Sequence, residues 1–212
     1  MKKLVLIAAF GTFTFLNAQA QEATFGIKAG VNFANLSVDS DDADPQSRTG
    51  FHVGGLVEIP VSEKFSVQPE LLYSAQGAKS KETFVDDFYG NYTAETTLKL
   101  DYISLPVMAK YYVANGLALE AGPQFNFLVA AKGEYEVKMN GMSQSGEIDM
   151  KDQVKKIDIG LGFGGSYTFD MGLLIGARYN LGLTDANDAE VEPDAPNKIK
   201  NKVFQLSVGY QF

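Results

Sequence analysis

Apolar residues recur at every second position through eight separate stretches of this chain, the period of a strand with two unlike faces. No segment beyond the first twenty residues carries a sustained 3.6-residue apolar stripe. In the first stretch Phe25, Ile27, Ala29, Val31 and Phe33 alternate with Gly26, Lys28, Gly30 and Asn32. Further stretches run over 51–59, 65–76, 103–113, 117–129, 157–167, 173–183 and 203–212. Each is close to the roughly 9–11 residues that a tilted strand needs to cross a bilayer.

The connections alternate as well. Strands two and three, four and five, and six and seven are joined by short links at 60–64, 114–116 and 170–172. The other four connections, 37–49, 78–98, 132–155 and 184–200, are long and charged. Short turns at one end and long polar loops at the other form the layout of an outer-membrane barrel. The pattern predicts an all-β fold, an eight-stranded antiparallel up-and-down transmembrane β-barrel.

A soluble barrel or sandwich alternates too, so the polar face has to decide. That face carries glycines 26, 30, 54, 122, 160, 162, 164, 176, 182 and 209 beside Gln, Asn, Ser and isolated charges. Glycine weakens a water-facing strand without return, but in a narrow barrel it makes room for larger neighbours. The apolar face ends in aromatics. Phe33, Phe51, Tyr73, Tyr102 and Phe204 lie toward the long loops; Phe65, Tyr111, Tyr167, Phe169, Tyr210 and Phe212 lie toward the short turns. Two such girdles suit two membrane interfaces. Tyr102 is out of phase with its strand's apolar set, which predicts a bulge or a misassigned face there.

The first twenty residues read as an export signal. Lys2 and Lys3 form a basic start, residues 4–16 are uncharged and apolar, and Ala18-Gln19-Ala20 offers an A-x-A cleavage site. Residues 1–20 are thus expected to be a signal peptide and 21–212 one barrel domain. Loss of the two lysines takes the formal charge from −8 to −10. Such acidity argues against nucleic acid as a partner. With no Cys in the chain, disulfides, lipoprotein anchoring, thiolate metal sites and a Cys nucleophile are excluded.

Three short runs carry a resemblance. Pro69-Glu70-Leu71-Leu72-Tyr73-Ser74-Ala75-Gln76-Gly77 resembles a signature of the PorT-family outer-membrane β-barrels of Bacteroidetes-type bacteria, whose architecture is OmpA/OmpX-like. Tyr102-Ile103-Ser104-Leu105-Pro106-Val107, followed by Lys110-Tyr111-Tyr112, resembles a second, and Gly122-Pro123 a third. The end in Tyr210-Gln211-Phe212 is similar to a closing strand that finishes on an aromatic. The resemblance spans the mature chain and implies an eight-stranded barrel in the cell outer membrane of a Gram-negative cell. The family's namesake assists a protein-secretion system, and no catalytic motif is carried over.

The inward positions gather Lys28, Lys110 and Arg178 against Glu58, Glu70, Glu120 and Asp158. An eight-stranded barrel is only wide enough for side chains to fill, and a buried charge must pair. The expectation is a charge network that plugs the lumen; a gated ion path through the same residues is the alternative. His52, the sole histidine, is predicted inward. As a catalytic base it needs a nucleophile and an orienting carboxylate, for which Ser47 and the carboxylates of 39–44 lie nearest in sequence, with no spacing motif behind them. The run Asp39-Ser40-Asp41-Asp42-Ala43-Asp44 lacks the glycine and distal Glu of an EF-hand loop. It reads as a solvated loop, with weak divalent bridging to lipopolysaccharide as the alternative. The segment holding Asp185, Asp188, Glu190, Glu192 and Asp194 with Pro193 and Pro196 reads the same way. Asn91-Tyr92-Thr93 matches a glycosylation sequon but carries little weight in a bacterial chain. Pro69, Pro106 and Pro123 each remove a ladder donor, so a bulge is expected at each.

Together these readings predict a non-enzymatic integral outer-membrane barrel of structural, surface-interaction or secretion-accessory type. Its expected partners are outer-membrane lipid, lipopolysaccharide and envelope or secretion-system proteins. A small porin-like ion or solute channel is the alternative and an enzyme comes third. No catalytic residue, metal or cofactor is implied.

Overall fold

The structure, a computed structural model, describes residues 22–38, 45–86, 90–139, 142–186 and 199–212. The expected signal peptide at 1–20, the acidic run at 39–44 and the charged run from 187 to 198 lie outside these residues. The described chain forms β1 (Thr24–Val38), β2 (Gln46–Ser62), β3 (Phe65–Asp86), β4 (Gly90–Ala114) and β5 (Leu117–Met139). They are followed by β6 (Met142–Asp149), β7 (Ile157–Thr168), β8 (Leu173–Gly182) and β9 (Ile199–Gln211). Every strand pairing is antiparallel. Strands β1–β5 and β7–β9 close into a ring through the β4–β5 and β1–β9 pairings. That ring is the eight-stranded barrel the alternation predicts. Among the described residues the ninth strand, β6, pairs with β5 alone.

The faces are inverted relative to a soluble fold. Leu119 on the outer face is 57% exposed, whereas Lys110 on the inner face is fully buried. The outward rows hold Phe25, Ile27, Val53, Leu71, Phe125, Ile159, Leu206 and Val208, apolar side chains that a barrel turns to hydrocarbon. Outward aromatics gather at both rims. Phe33 stacks near Phe204 and Phe51 lies against Tyr73 at the long-loop end; Tyr167 meets Phe169 edge-on at the turn end. The short turns are laced to neighbouring strands, as in the 2.8 Å bond from Thr168 N–H to the Gly116 carbonyl.

Three expectations change. Tyr102 leaves the girdle: it is buried and inward. Its own strand's parity puts it there, on the inward row of Ser104 and Met108; the bulge beside it is on β5, where Asp101 pairs with Ala130 but Tyr102 with Leu128, leaving Val129 as the extra residue. The prolines carry no bulges. Register is constant across Pro69, from Leu56–Glu70 to Ile59–Val67, and Pro106 pairs directly with Gln124. β5 and β7 run without a shift past Pro123. A missing donor removes a rung, but only an inserted residue displaces the register.

The third change concerns the loops. Residues 78–86 and 90–98 are strand, and 132–139 with 142–149 form a hairpin. β3, β4 and β5 reach 22, 25 and 23 residues, of which only about ten are needed to cross a bilayer. At about 3.3 Å per residue their excess stands well clear of the membrane. With β6 they form a four-stranded extramembrane sheet in the order β3-β4-β5-β6. Outside the bilayer both faces meet water, so the alternation that betrays a spanning strand fades. Gly77, with φ +127°, sits where β3 leaves the ring, and a side chain there would strike the Leu98 carbonyl.

Candidate functional site

The lumen is built by the inward positions of all eight ring strands, and its charges sort into two groups. Toward the turn end Lys110 donates to Glu58 at 2.7 Å and to Gln68 at 3.1 Å. Glu58 also accepts from Ser66 at 2.7 Å, Gln211 at 2.9 Å and the Tyr112 hydroxyl. Gln68 then donates to Glu70 at 2.7 Å, linking this cluster to the next. Glu70 receives Lys28 at 2.8 Å and a two-pronged contact from Arg178 at 2.6 and 3.0 Å, while Arg178 Nε reaches Glu120 at 2.7 Å. Lys28, Glu58, Glu70, Lys110, Glu120 and Arg178 thus form one connected set, all buried. The fork of Arg178 suits a carboxylate better than a point charge would.

Asp158 is not brought into that set. It lies at the loop end, bonded by Asn126 at 3.1 Å, Asn201 at 3.1 Å and Thr184 at 2.5 Å. Between the two groups runs a belt of neutral polar side chains. Asn32 donates to Ser74 at 3.0 Å and accepts from Gln205 at 2.9 Å, and Asn180 donates to Gln205 at 2.9 Å.

His52 belongs to this belt. Its Nδ1 meets Asn32 Oδ1 at 2.8 Å and its Nε2 meets Ser207 Oγ at 2.9 Å. Because Asn32 Oδ1 can only accept, Nδ1 carries a proton, and in the neutral ring Ser207 donates to Nε2. Ser47 is not a partner of His52, and residues 39–44 lie outside the described chain. Sequence spacing missed Ser207, 155 positions away, because only barrel closure brings β9 beside β1.

Above the belt the mouth is apolar. Leu100, Tyr102 and Ala131 pack with Val154 from the β6–β7 connection, flanked by Leu98, Leu128 and Met150. That connection is pinned across the rim by Lys155 N–H to the Ala186 carbonyl and by the Lys156 carbonyl to Leu128 N–H, both 2.9 Å.

The extramembrane sheet has two unlike faces. The face continuous with the barrel's outer wall is charged. Lys99 pairs with Glu134, Lys132 with Glu147 at 2.7 Å, and Lys138 with Glu136 at 3.0 Å. Its cleft of about 570 Å³ is lined by Lys79, Glu95, Glu134, Glu136 and Glu147 among others. The Glu147 bond holds the Lys132 ammonium above its ordinary value, and the Lys138 bond holds the Glu136 carboxyl below its own. The face continuous with the lumen is apolar. Phe84 stacks on Tyr92 at 4.9 Å, Val137, Met142 and Ile148 are exposed, and Tyr135 lies across Gly146, where any side chain would collide with its hydroxyl.

Among solved structures, the chain resembles the attachment invasion locus protein Ail of Yersinia pestis at 15% identity, covering 91% of this chain and 100% of that one, with a TM-score of 0.46. It resembles Neisserial surface protein A at 14% identity over 91% and 100%, with a TM-score of 0.49. For OprG of Pseudomonas aeruginosa the values are 12%, 91%, 97% and 0.40. No curated protein matches the chain in sequence. The family model for the outer membrane protein beta-barrel domain matches residues 17–188, most of the chain. With a closed ring, apolar rows turned outward and that match, the chain belongs to the outer membrane protein beta-barrel domain family and is an outer-membrane protein.

Proposed function

We propose that this protein is a non-enzymatic barrel whose work is done on the extramembrane sheet, as a surface-interaction or secretion-accessory protein. One observation carries the reading: the lumen is filled and its mouth capped, whereas β3–β6 stand clear with a charged face, an apolar face and a free edge. Recognition chemistry then sits on a rigid sheet rather than in a channel. The PorT-like runs along β3 and β4 favour a secretion-accessory role within this reading, and lipopolysaccharide is the natural neighbour of the charged face. Envelope or secretion-system proteins are the proposed partners of the apolar face and of the β6 edge, which can take up an added strand.

The test is a trimmed barrel in which 79–97 and 133–148 are replaced by short turns. It should insert and run as a folded barrel on unheated gels, yet reproduce the gene-deletion phenotype in adhesion or secreted-protein maturation. A trimmed barrel that complements the deletion fully would sink the reading. So would steady ohmic steps from the purified intact protein in planar bilayers, which the channel alternative requires.

A further inference from the structure

The paired charges of the lumen balance. Lys110 answers Glu58, and Lys28 with Arg178 answer Glu70 with Glu120. Asp158 is left over: a fully buried carboxylate held by neutral donors only and, among the described residues, in no ion pair. Both of its oxygens accept hydrogen bonds. A lone buried charge of this kind is unfavourable by several kcal/mol unless something neutralises it.

The same end of the lumen has spare oxygen ligands. Six buried side-chain oxygens have no hydrogen-bond partner among the described residues. Two of them, Asn201 Oδ1 and Gln124 Oε1, belong to residues in the hydrogen-bond chain of Asp158. Asn201 donates to Asp158 through Nδ2, so its own free oxygen lies within about 5 Å of the carboxylate, a span that a cation shell bridges. Gln124 donates to Asn126, which donates to Asp158, and this chain of donors orients its remaining oxygen as an acceptor without a donor. Gln124 faces Gly160 on β7, so the floor beside it is bare backbone.

We propose that the loop end of the lumen binds one monovalent alkali cation, held by the Asp158 carboxylate and the Asn201 amide oxygen, with Gln124 as a third oxygen donor. Oxygen donors select hard cations. The charge left to neutralise is one, whereas sites for a divalent ion of the calcium type commonly supply several carboxylates. The cation would tie β5, β7 and β9 together beneath the apolar cap.

Equilibrium urea unfolding of the full-length barrel in neutral detergent tests this, with sodium or potassium chloride exchanged for choline chloride at constant ionic strength. A ligand that binds only the folded state raises the folded-to-unfolded ratio about tenfold per tenfold increase in its concentration above Kd. That response is expected for sodium or potassium and is expected to vanish in Asp158→Asn. Should Asp158→Asn fail to fold, Asn201→Ala supplies the second variant, with the response shifted to higher salt. ²³Na line broadening on the wild-type protein, reversed by potassium, gives a readout free of variants. Superimposable curves in alkali and choline chloride would overturn the proposal. A sodium response retained in Asp158→Asn, or a larger gain from magnesium than from sodium, would overturn it too.

Discussion

Strands β3, β4 and β5 pass without a break from one solvent into another, and their two halves obey opposite rules. Inside the ring the wall separates lipid from a packed polar lumen, so charge is inward, matched and buried. Above the ring the same ladders separate water from water. There charge lies on one face as exposed pairs, and apolar groups stay on the other. The lesson concerns what one ion pair is worth. Lys28–Glu70 and Lys132–Glu147 have nearly equal lengths, 2.8 and 2.7 Å. Their side chains are at most 4% exposed in the first and about half exposed in the second. Geometry being equal, burial decides the consequence of breaking them.

The sharpest way to break the comparison is at Glu70. Among the described residues, Glu70→Ala removes the only carboxylate that Lys28 reaches and one of two that Arg178 reaches, leaving buried positive charge uncompensated. The expected loss is about 3–5 kcal/mol, read as a large fall in the urea midpoint of the refolded barrel. A loss under about 1 kcal/mol would show that lumen pairs behave like surface pairs. At the mouth the stake is packing rather than charge. Leu100→Ala opens a cavity beside Tyr102 and Val154 and should lower stability by about 2–4 kcal/mol, with the conductance of the purified protein unchanged because the ion-paired layer below still fills the lumen. New ohmic steps in this variant would place the seal at the cap instead.

What the sequence made legible follows the same boundary. The ring strands were readable because hydrocarbon on one side and a polar lumen on the other impose a strict period of two. Lys28, Glu58, Glu70, Lys110, Glu120, Asp158 and Arg178 could be assigned inward from parity alone. Their partners could not: Arg178 and Glu70 are 108 positions apart, and contact between them depends on how far the closed ring is sheared, which alternation does not encode. Tyr102 was misplaced because its aromatic ring was weighed over its parity, which already set it on the inward row with Ser104 and Met108. The extramembrane sheet was read as loop because Lys, Glu and Thr dominate where both faces are wet, although Tyr92, Thr93, Thr96 and Thr97 already had the composition of a strand. His52 was placed inward from its own strand, but Asn32 and Ser207 become its neighbours only on closure.

Gly77 stands at the boundary itself and sharpens the comparison. Its φ of +127° is open to glycine and strained for any other residue. Gly77→Ala should cost about 1–3 kcal/mol. Because the bend joins ring to sheet, amide hydrogen exchange should quicken above residue 77 more than below it. Equal acceleration in both halves would show that the two regions open as one unit.

The smallest effect is expected at Lys132, and its smallness is the point. Lys132→Ala removes an exposed pair between β5 and β6, so the urea midpoint of the barrel should stay within the scatter of wild type while the β5–β6 amides exchange faster. The folded-state value of Lys132 is raised above 10.5, so the pair's contribution is fully present below that pH and is lost as pH climbs through the raised value. Glu136 has the opposite sign. Its value is lowered below 4.5, so its contribution is present above 4.5 and is lost as pH falls through the lowered value. Protection of the hairpin should therefore be flat near neutral pH, weaken toward both extremes, and shrink in salt, which screens exposed charge within about 10 Å at 0.1 M. A Lys132→Ala barrel that unfolds as early as Glu70→Ala would mean that the sheet is a structural part of the ring, and that exposure does not separate the two pairs.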